Sequence, residues 1–159
     1  MMARWQDVID SEPEFARRAQ ALFDGGKHKT LATVRKDGSP RISGIEMQIG
    51  GGEAWLGMMA NSQKLADVRR DPRIALHSPS AEPPEDPQRG NEWSGDAKLA
   101  GRLVLMDASL RKSLGADDEP GDYFTIDLEE VVITRVGDPA DHLVVQLWRP
   151  SQALKTMRA

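Results

Sequence analysis

The feature that most limits the fold of this chain is a succession of short β-rich runs joined by tight turns. An Asp-Gly turn at 37–38 joins runs at 29–35 and 40–49, and such a turn between apolar runs is typical of a β-hairpin. Further runs follow at 53–59, 73–77, 98–106, 123–128, 131–136 and 143–148. Because strands and helices do not alternate, the pattern favours a mainly β, antiparallel barrel or sandwich with two or three short helices.

Helix signals interrupt the β-rich runs at a few places. Ser11 and Glu14 form an S-x-x-E capping box ahead of apolar residues at helical spacing, which predicts a helix over residues 12–25. Asn61-Ser62 begins a second short helix that ends before Pro72, and residues 108–114 form a third candidate.

One strand has an irregular apolar pattern. Ile45, Met47 and Ile49 share one face of the run at 40–49, whereas Ile42 has the opposite parity. A β-bulge or kink at Gly44 would restore a continuous apolar face, so one is predicted there.

The chain length and its loops indicate one domain spanning residues 1–159. The segment 78–92 holds four prolines and four acidic residues with a single Arg89, and it is predicted to be a long acidic loop. No apolar run reaches the ~18 residues of a membrane-spanning helix, and the first residues lack the apolar core of a signal peptide. A cytoplasmic protein without a membrane partner is therefore expected.

Composition excludes several kinds of chemistry. There is no Cys, so thiol nucleophiles, thiolate metal sites and disulfides are excluded. The three histidines lie in separate predicted elements without the spacing of metal ligands, and no Gly-x-Ser-x-Gly elbow surrounds Ser43. A net charge of -4 argues against nucleic acid as a partner. No metal is expected, and no catalytic side chain is identified.

Lys64 is out of place in the first turn of its predicted helix. A cation there opposes the helix dipole, and the free backbone N–H groups of that turn favour an anion. A phosphate held by these N–H groups, the Ser62 hydroxyl and Lys64 would explain the arrangement. Alternatively, Lys64 points to solvent or pairs with Asp67, three residues further on.

Other positions near this turn have two interpretations each. Gly57 would admit a flat ring or a sugar-phosphate tail close to the strand, or would mark a kink or a packing contact. Trp148 is a core residue, a dimer contact or a partner for ring stacking. The polar groups near the suspected bulge are those of Arg41, Ser43, Glu46 and Gln48.

Taken in order, several motifs resemble the pyridoxamine 5'-phosphate oxidase-like, FMN-binding split-barrel family. The resemblance extends over residues 28–150. The motifs that carry it are Leu31-Ala32-Thr33, Asp37-Gly38-Ser39-Pro40, Ser62-Gln63-Lys64, Asp71-Pro72-Arg73 and Leu147-Trp148-Arg149-Pro150.

The resemblance implies a homodimer of Greek-key split barrels with FMN at the subunit interface. It implies phosphate contacts from Ser62 and Lys64, and a contact from Trp148 of the partner subunit. Apart from the resemblance, Arg41 is a further local positive charge predicted to take part in cofactor binding. The strands along the cofactor are implied to contribute Ser43, Gly44, Ile45, Glu46, Met47, Gln48, Gly57 and Met58.

The chain also departs from the family's motifs. Gln63 stands between Ser62 and Lys64 where the oxidases often have Arg. Residues 151–156 lack the Arg-x-His pair with which the vitamin-processing oxidases grip their substrate, so pyridoxamine or pyridoxine phosphate is not the expected substrate.

The resulting hypothesis is an FMN-dependent oxidoreductase that transfers a hydride to or from an unidentified small organic substrate. A deazaflavin-dependent reductase is one alternative. A non-catalytic protein that binds FMN or haem is another, and a dimer with an empty groove is the simplest.

Overall fold

A closed antiparallel barrel organises the chain in the computed structural model, which describes residues 2–159. Eight strands form one sheet in the order β3-β2-β1-β4-β5-β6-β7-β8, and an additional β3–β6 pairing closes the first six into the barrel. The strands are β1 (His28–Val34), β2 (Pro40–Gly50), β3 (Glu53–Met58), β4 (Arg73–His77), β5 (Asp96–Leu105), β6 (Asp122–Val136), β7 (Leu143–Trp148) and β8 (Lys155–Arg158). The predicted mainly β, antiparallel barrel is confirmed.

The longest strand, β6, differs from the sequence prediction. It is continuous where two runs were predicted, and it pairs with β3, β5 and β7 along its length. The register with β5 shifts between Ala100 and Gly101, so that Glu129 is the extra residue of a bulge. This bulge explains why the alternating pattern of the sequence breaks near residue 129. Strand β8 was not predicted.

Strand β2 contains no bulge, so the prediction of one at Gly44 is wrong. Its register with β1 is uninterrupted, with Ile42 opposite Ala32 and Gly44 opposite Thr30. Ile42 keeps the outward parity of its strand and is 75% exposed. The apolar residue of opposite parity is therefore a surface residue on the same face as Gly44.

Four short α-helices accompany the barrel: α1 (Trp5–Ser11), α2 (Pro13–Phe23), α3 (Gln63–Arg70) and α4 (Ala108–Ser113). The helix predicted over 12–25 is α2, but the predicted capping box is wrong, because Glu12 is its N-cap and Ser11 belongs to α1. Helix α1 was not predicted, although it buries Trp5 and Val8. None of the described helices is long and apolar enough to cross a membrane.

The barrel interior and the first two helices share one apolar core. Phe15, Ala19 and Phe23 of α2 are buried in the same cluster as Leu31, Leu56, Leu76, Leu99, Ile126 and Leu128 of the strands. The Trp5 ring meets the Phe23 ring edge-on, with 6.4 Å between centroids. The two helices therefore cover part of the barrel and leave the outer face of β2 exposed.

The acidic loop at 78–92 folds back on itself. A 3-10 helix (Pro87–Glu92) ends it, and the Asp86 carboxylate accepts the N–H of Gln88 at 3.0 Å. The Trp93 indole N–H donates to the Ala81 carbonyl at 2.8 Å and ties the end of the segment to its beginning.

Candidate functional site

A surface groove of about 340 Å³ contains six of the residues that the sequence placed at a cofactor site. It is lined by residues from the start of β1, from β2 and β3, from the first turn of α3 and from the start of β6. These residues are His28, Gly44, Ile45, Glu46, Gln48, Trp55, Leu56, Gly57, Met59, Lys64 and Tyr123. The predicted members are Gly44, Ile45, Glu46, Gln48, Gly57 and Lys64.

The alternation of β2 decides which of its side chains lie at the groove. Gly44, Glu46 and Gln48 point outward, whereas Ile45 and Met47 are buried on the inner face. A Cβ atom added to Gly44 would have no heavy atom within 4 Å. The groove therefore has an open, side-chain-free stretch of strand over which a flat group can lie.

Gly57 has a different role. It lies opposite Tyr123 in the β3–β6 pair, and a Cβ atom at position 57 would lie 2.6 Å from the Cε1 and Cζ atoms of the tyrosine ring. The structure therefore supports the second interpretation of Gly57, in which the glycine makes room for a packing contact. Tyr123 covers this glycine and forms one wall of the groove.

The Tyr123 ring is held from two other sides. Its centroid lies 6.0 Å from that of Trp55, and the Arg111 guanidinium lies 4.7 Å from it. Burial raises the pKa of the Tyr123 phenol, Glu119 adds to the increase, and Arg111 opposes it. The phenol is therefore neutral at physiological pH and available as a hydrogen-bond donor.

The two charged groups that line the groove, the Glu46 carboxylate and the Lys64 ammonium, do not pair with each other. Glu46 lies 3.4 Å from the Lys27 ammonium and 3.7 Å from the His28 ring nitrogen. No carboxylate of residues 2–159 lies within 4.0 Å of the Lys64 ammonium. The first turn of α3 therefore has a cation that is free to meet an anion.

The backbone of this turn supports the same conclusion. The Ser62 hydroxyl accepts the N–H of Leu65 at 3.3 Å as an N-cap, and this bond leaves the N–H groups of Gln63 and Lys64 outside the helical ladder. The alternative pairing of Lys64 with Asp67 is wrong, because Asp67 is turned inward toward other partners.

Asp67 is a buried carboxylate that fixes the positions of two arginines. It accepts hydrogen bonds from the Thr33 hydroxyl and Arg41 Nε, each at 2.7 Å, and from Arg70 Nη2 at 3.2 Å. Burial alone would raise the pKa of Asp67, but the hydrogen bonds from Arg41, Thr33 and Arg70 outweigh burial and lower it. The carboxylate is therefore ionised and holds Arg41 in place.

Arg41 lies outside the groove, at an adjoining basic depression. Arg35, Lys36, Arg41, Gln63 and Arg70 line this depression together with Asp37 and Asp67. Gln63 and Lys64, neighbours in the first turn of α3, thus line two different surfaces. The positive charge around this turn extends beyond Lys64.

Other residues from the prediction do not lie at the groove. Met47 and Met58 are buried in the barrel core, and Ser43 is half-buried on the inner face of β2. Trp148 is 2% exposed, and its indole N–H donates to the Ser11 hydroxyl at 2.9 Å. Within the chain, Trp148 is therefore a core residue.

Sequence reasoning missed His28, Trp55, Leu56, Met59 and Tyr123 as groove residues. A glycine within a strand next to an aromatic strand partner is a usable signal, but it requires the β3–β6 register, which the sequence does not give. No group of three or more His, Cys, Asp or Glu side chains within residues 2–159 is arranged to hold a metal ion.

The fold resembles that of several solved structures. No family model and no curated protein matches the chain. The PhzG protein from Burkholderia lata 383, solved in complex with tetrahydrophenazine-1-carboxylic acid, is 14% identical, with 100% of this chain and 97% of that chain covered and a TM-score of 0.64. The fold is a split barrel. General Stress Protein 26 from Bacillus anthracis str. Sterne is 14% identical, with coverages of 84% and 96% and a TM-score of 0.56.

A candidate pyridoxamine 5'-phosphate oxidase from Listeria innocua shares the fold as well. It is 17% identical, with 76% of this chain and 98% of that chain covered and a TM-score of 0.57. These likenesses establish the split-barrel fold, which agrees with the family resemblance of the motifs.

Proposed function

We propose that the groove binds FMN and that the protein is an FMN-dependent oxidoreductase that acts as a homodimer. The observation that carries this proposal is the combination of an unpaired Lys64 in the first turn of α3 with the open strand surface at Gly44 in one groove. Such a groove suits a flat ring joined to a phosphate. The split-barrel fold supports the proposal independently.

The phosphate is assigned to the first turn of α3. Lys64 supplies a full positive charge, and the free N–H groups of Gln63 and Lys64 supply donors at the positive end of the helix dipole. The Ser62 hydroxyl, whose oxygen accepts the Leu65 N–H, keeps its own hydrogen available for a further bond.

The ring is assigned to the surface of β2. Gly44 leaves room above the strand, Gln48 offers an amide that both donates and accepts, and Tyr123 offers a neutral phenol. When bound, FMN supplies the hydride chemistry that no side chain of this chain can supply. The residues of the groove bind and orient the ring and restrict the access of water to it.

The homodimer is proposed from apolar residues around the groove. Met59 lines the groove and is 79% exposed, and Ile42 lies on the outward face of β2, on the same face as Gly44. A partner that covers these two side chains removes apolar surface from water, which stabilises association. A second copy that covers Met59 and Ile42 would close the groove over the cofactor.

FMN binding is tested with Lys64→Ala and a matched control, Lys98→Ala, which removes an exposed lysine of β5. A charge-assisted contact contributes about 1.5–3 kcal/mol, so Lys64→Ala weakens FMN binding roughly ten- to 150-fold, as measured by quenching of flavin fluorescence. Lys98→Ala binds like the unchanged protein. Equal FMN affinity in all three proteins overturns the assignment.

The choice of cofactor and the presence of catalysis need separate experiments. Competition between FMN and a deazaflavin for the purified protein shows which of them the groove prefers. Oxidation of NADH or NADPH by the FMN-loaded protein, above the rate with free FMN, supports an enzyme. Binding without turnover across candidate donors and acceptors identifies a carrier or sensor instead.

A further inference from the structure

A second cavity, of about 380 Å³, lies between α2, β6 and the two ends of the segment 79–95. None of its lining residues also lines the groove proposed for FMN. Its volume falls within the range of small-molecule sites, and its walls are mostly apolar, with Leu22, Pro79 and Ile133 among them. The proposed function does not use this cavity.

Three arginines line this cavity, and none of its described lining residues is acidic. The side chain of Arg17 pairs with Glu14 on the exposed face of α2. No carboxylate within residues 2–159 forms an ion pair with Arg18 or Arg135. In a chain with a net charge of -4, this is a local concentration of positive charge.

Arg18 also has an unsatisfied donor. Its Nη2 donates to the Oε1 atom of Gln146 on β7, but its buried Nε–H has no hydrogen-bond partner in the described part of the chain. Buried donors are normally paired, because a donor that has lost its water without gaining a partner is destabilising. Gln146 is thus the one side-chain partner of Arg18 among the described residues, and no anion neutralises the charge of this guanidinium.

We propose that this cavity is a binding site for a small organic carboxylate with an apolar body. The carboxylate is held by Arg18 and Arg135, because guanidinium groups match the planar geometry of carboxylates. The apolar body packs on Leu22 and Ile133. The ligand is small, because a cavity of about 380 Å³ has the volume of a small-molecule site.

The probe for this site is 2-naphthoate, compared with its neutral counterpart 2-naphthamide, in calorimetric titrations with FMN present in excess. Naphthoate is expected to bind with one molecule per chain and at least about tenfold more tightly than naphthamide. Arg135→Gln lowers the naphthoate affinity by a similar factor. Arg102→Gln, which changes an exposed arginine of the neighbouring strand β5, leaves it unchanged.

Three other outcomes of these titrations would overturn the proposal. Equal binding of naphthoate and naphthamide shows that no charge is recognised, and unchanged binding to Arg135→Gln places the anion elsewhere. Displacement of naphthoate by FMN places it in the groove. A repeat without FMN keeps the result independent of the proposed function, since naphthoate binding persists there even if the protein binds no flavin.

Discussion

Gly57 and Tyr123 face each other across β3 and β6, and the tyrosine ring occupies the space into which a side chain at position 57 would project. A Cβ atom there would lie 2.6 Å from two ring carbons, well inside their contact distance. The ring in turn contacts Trp55 and lies beside Arg111. The absence of a Cβ atom at Gly57 thus determines the position of the Tyr123 ring, which forms one wall of the groove.

Gly57→Ala is expected to displace the Tyr123 ring and to lower the free energy of unfolding by about 1–3 kcal/mol, the usual cost of overpacking. Urea unfolding measures the change. FMN binding weakens as well, because the displaced ring changes the shape of the groove. A variant as stable as the unchanged protein would show that Tyr123 moves aside freely.

Gly44→Ala is the matched comparison, because a Cβ atom at Gly44 meets nothing within 4 Å. Its free energy of unfolding is expected to stay within about 0.5 kcal/mol of the unchanged protein. Its FMN affinity falls nevertheless, because the new methyl group lies under the assigned ring position. Undiminished affinity, measured by flavin fluorescence, contradicts the placement of the ring on β2.

Asp67→Asn tests the buried carboxylate under α3. The hydrogen bonds from Arg41, Thr33 and Arg70 involve charged groups, so their weakening is expected to cost about 1.5–3 kcal/mol at pH 7. FMN binding falls less than in Lys64→Ala, since Arg41 lies at the adjoining depression. Chemical unfolding and FMN titration of the two variants measure both effects.

Asp67 also predicts how stability depends on pH. Its pKa in the folded protein lies below the ordinary value of 3.8, so its stabilising contribution is complete above that value. The contribution is lost as the pH falls through the lower, folded-state pKa. Stability of the unchanged protein therefore declines in this acid range, and Asp67→Asn flattens the decline.

Asp71 provides the control for this pH dependence. Arg73 lowers the pKa of the Asp71 carboxyl to about 2, but this pair lies at the surface. Because solvent screens such a pair, Asp71→Asn is expected to change the acid decline much less than Asp67→Asn. Unfolding curves between about pH 5 and about pH 2 compare the two variants. An equal effect of both substitutions rules out a special role for Asp67.

The parts of the fold that the sequence predicts are those encoded locally. Alternating apolar runs and glycine turns mark nearly every barrel strand, and Ser62 marks the start of α3. Strand β8 was not predicted, because its four residues are mostly exposed and lack apolar alternation, although it pairs with the nearby β7. Helix α1 was not predicted, because its Trp5 and Val8 are buried through packing on α2 and the barrel core.

In the candidate site too, the residues predicted from the sequence are those with a local signal, and the others depend on tertiary contacts. Lys64 is conspicuous in the sequence because its charge conflicts with a local rule for helices. Tyr123 is not, because it reaches the groove only through the pairing of β6 with β3. Arg41 was predicted as a local cation, but its bond to Asp67 joins residues 26 positions apart and depends on the packing of α3 against the barrel.

Ile42→Glu tests the proposed dimer surface. A charge at this outward apolar position is expected to dissociate the dimer, as measured by sedimentation, and to weaken FMN binding along with it. Leu143→Glu, at a less exposed apolar residue of β7, is the comparison and is expected to remain dimeric. A dimer that persists in Ile42→Glu places the subunit interface elsewhere.

Trp148→Phe distinguishes a core role of this tryptophan from the flavin contact that the family resemblance implies. The substitution removes the bond to the Ser11 hydroxyl and part of a fully packed side chain, so the free energy of unfolding falls by about 1–3 kcal/mol. FMN affinity of the folded variant is expected to stay within about twofold, because Trp148 is buried in its own subunit. Ser11→Ala separates the two contributions, since it removes the hydrogen bond and keeps the ring. A large loss of FMN affinity in Trp148→Phe, with Ser11→Ala unaffected, would instead show that the indole reaches the cofactor in the dimer.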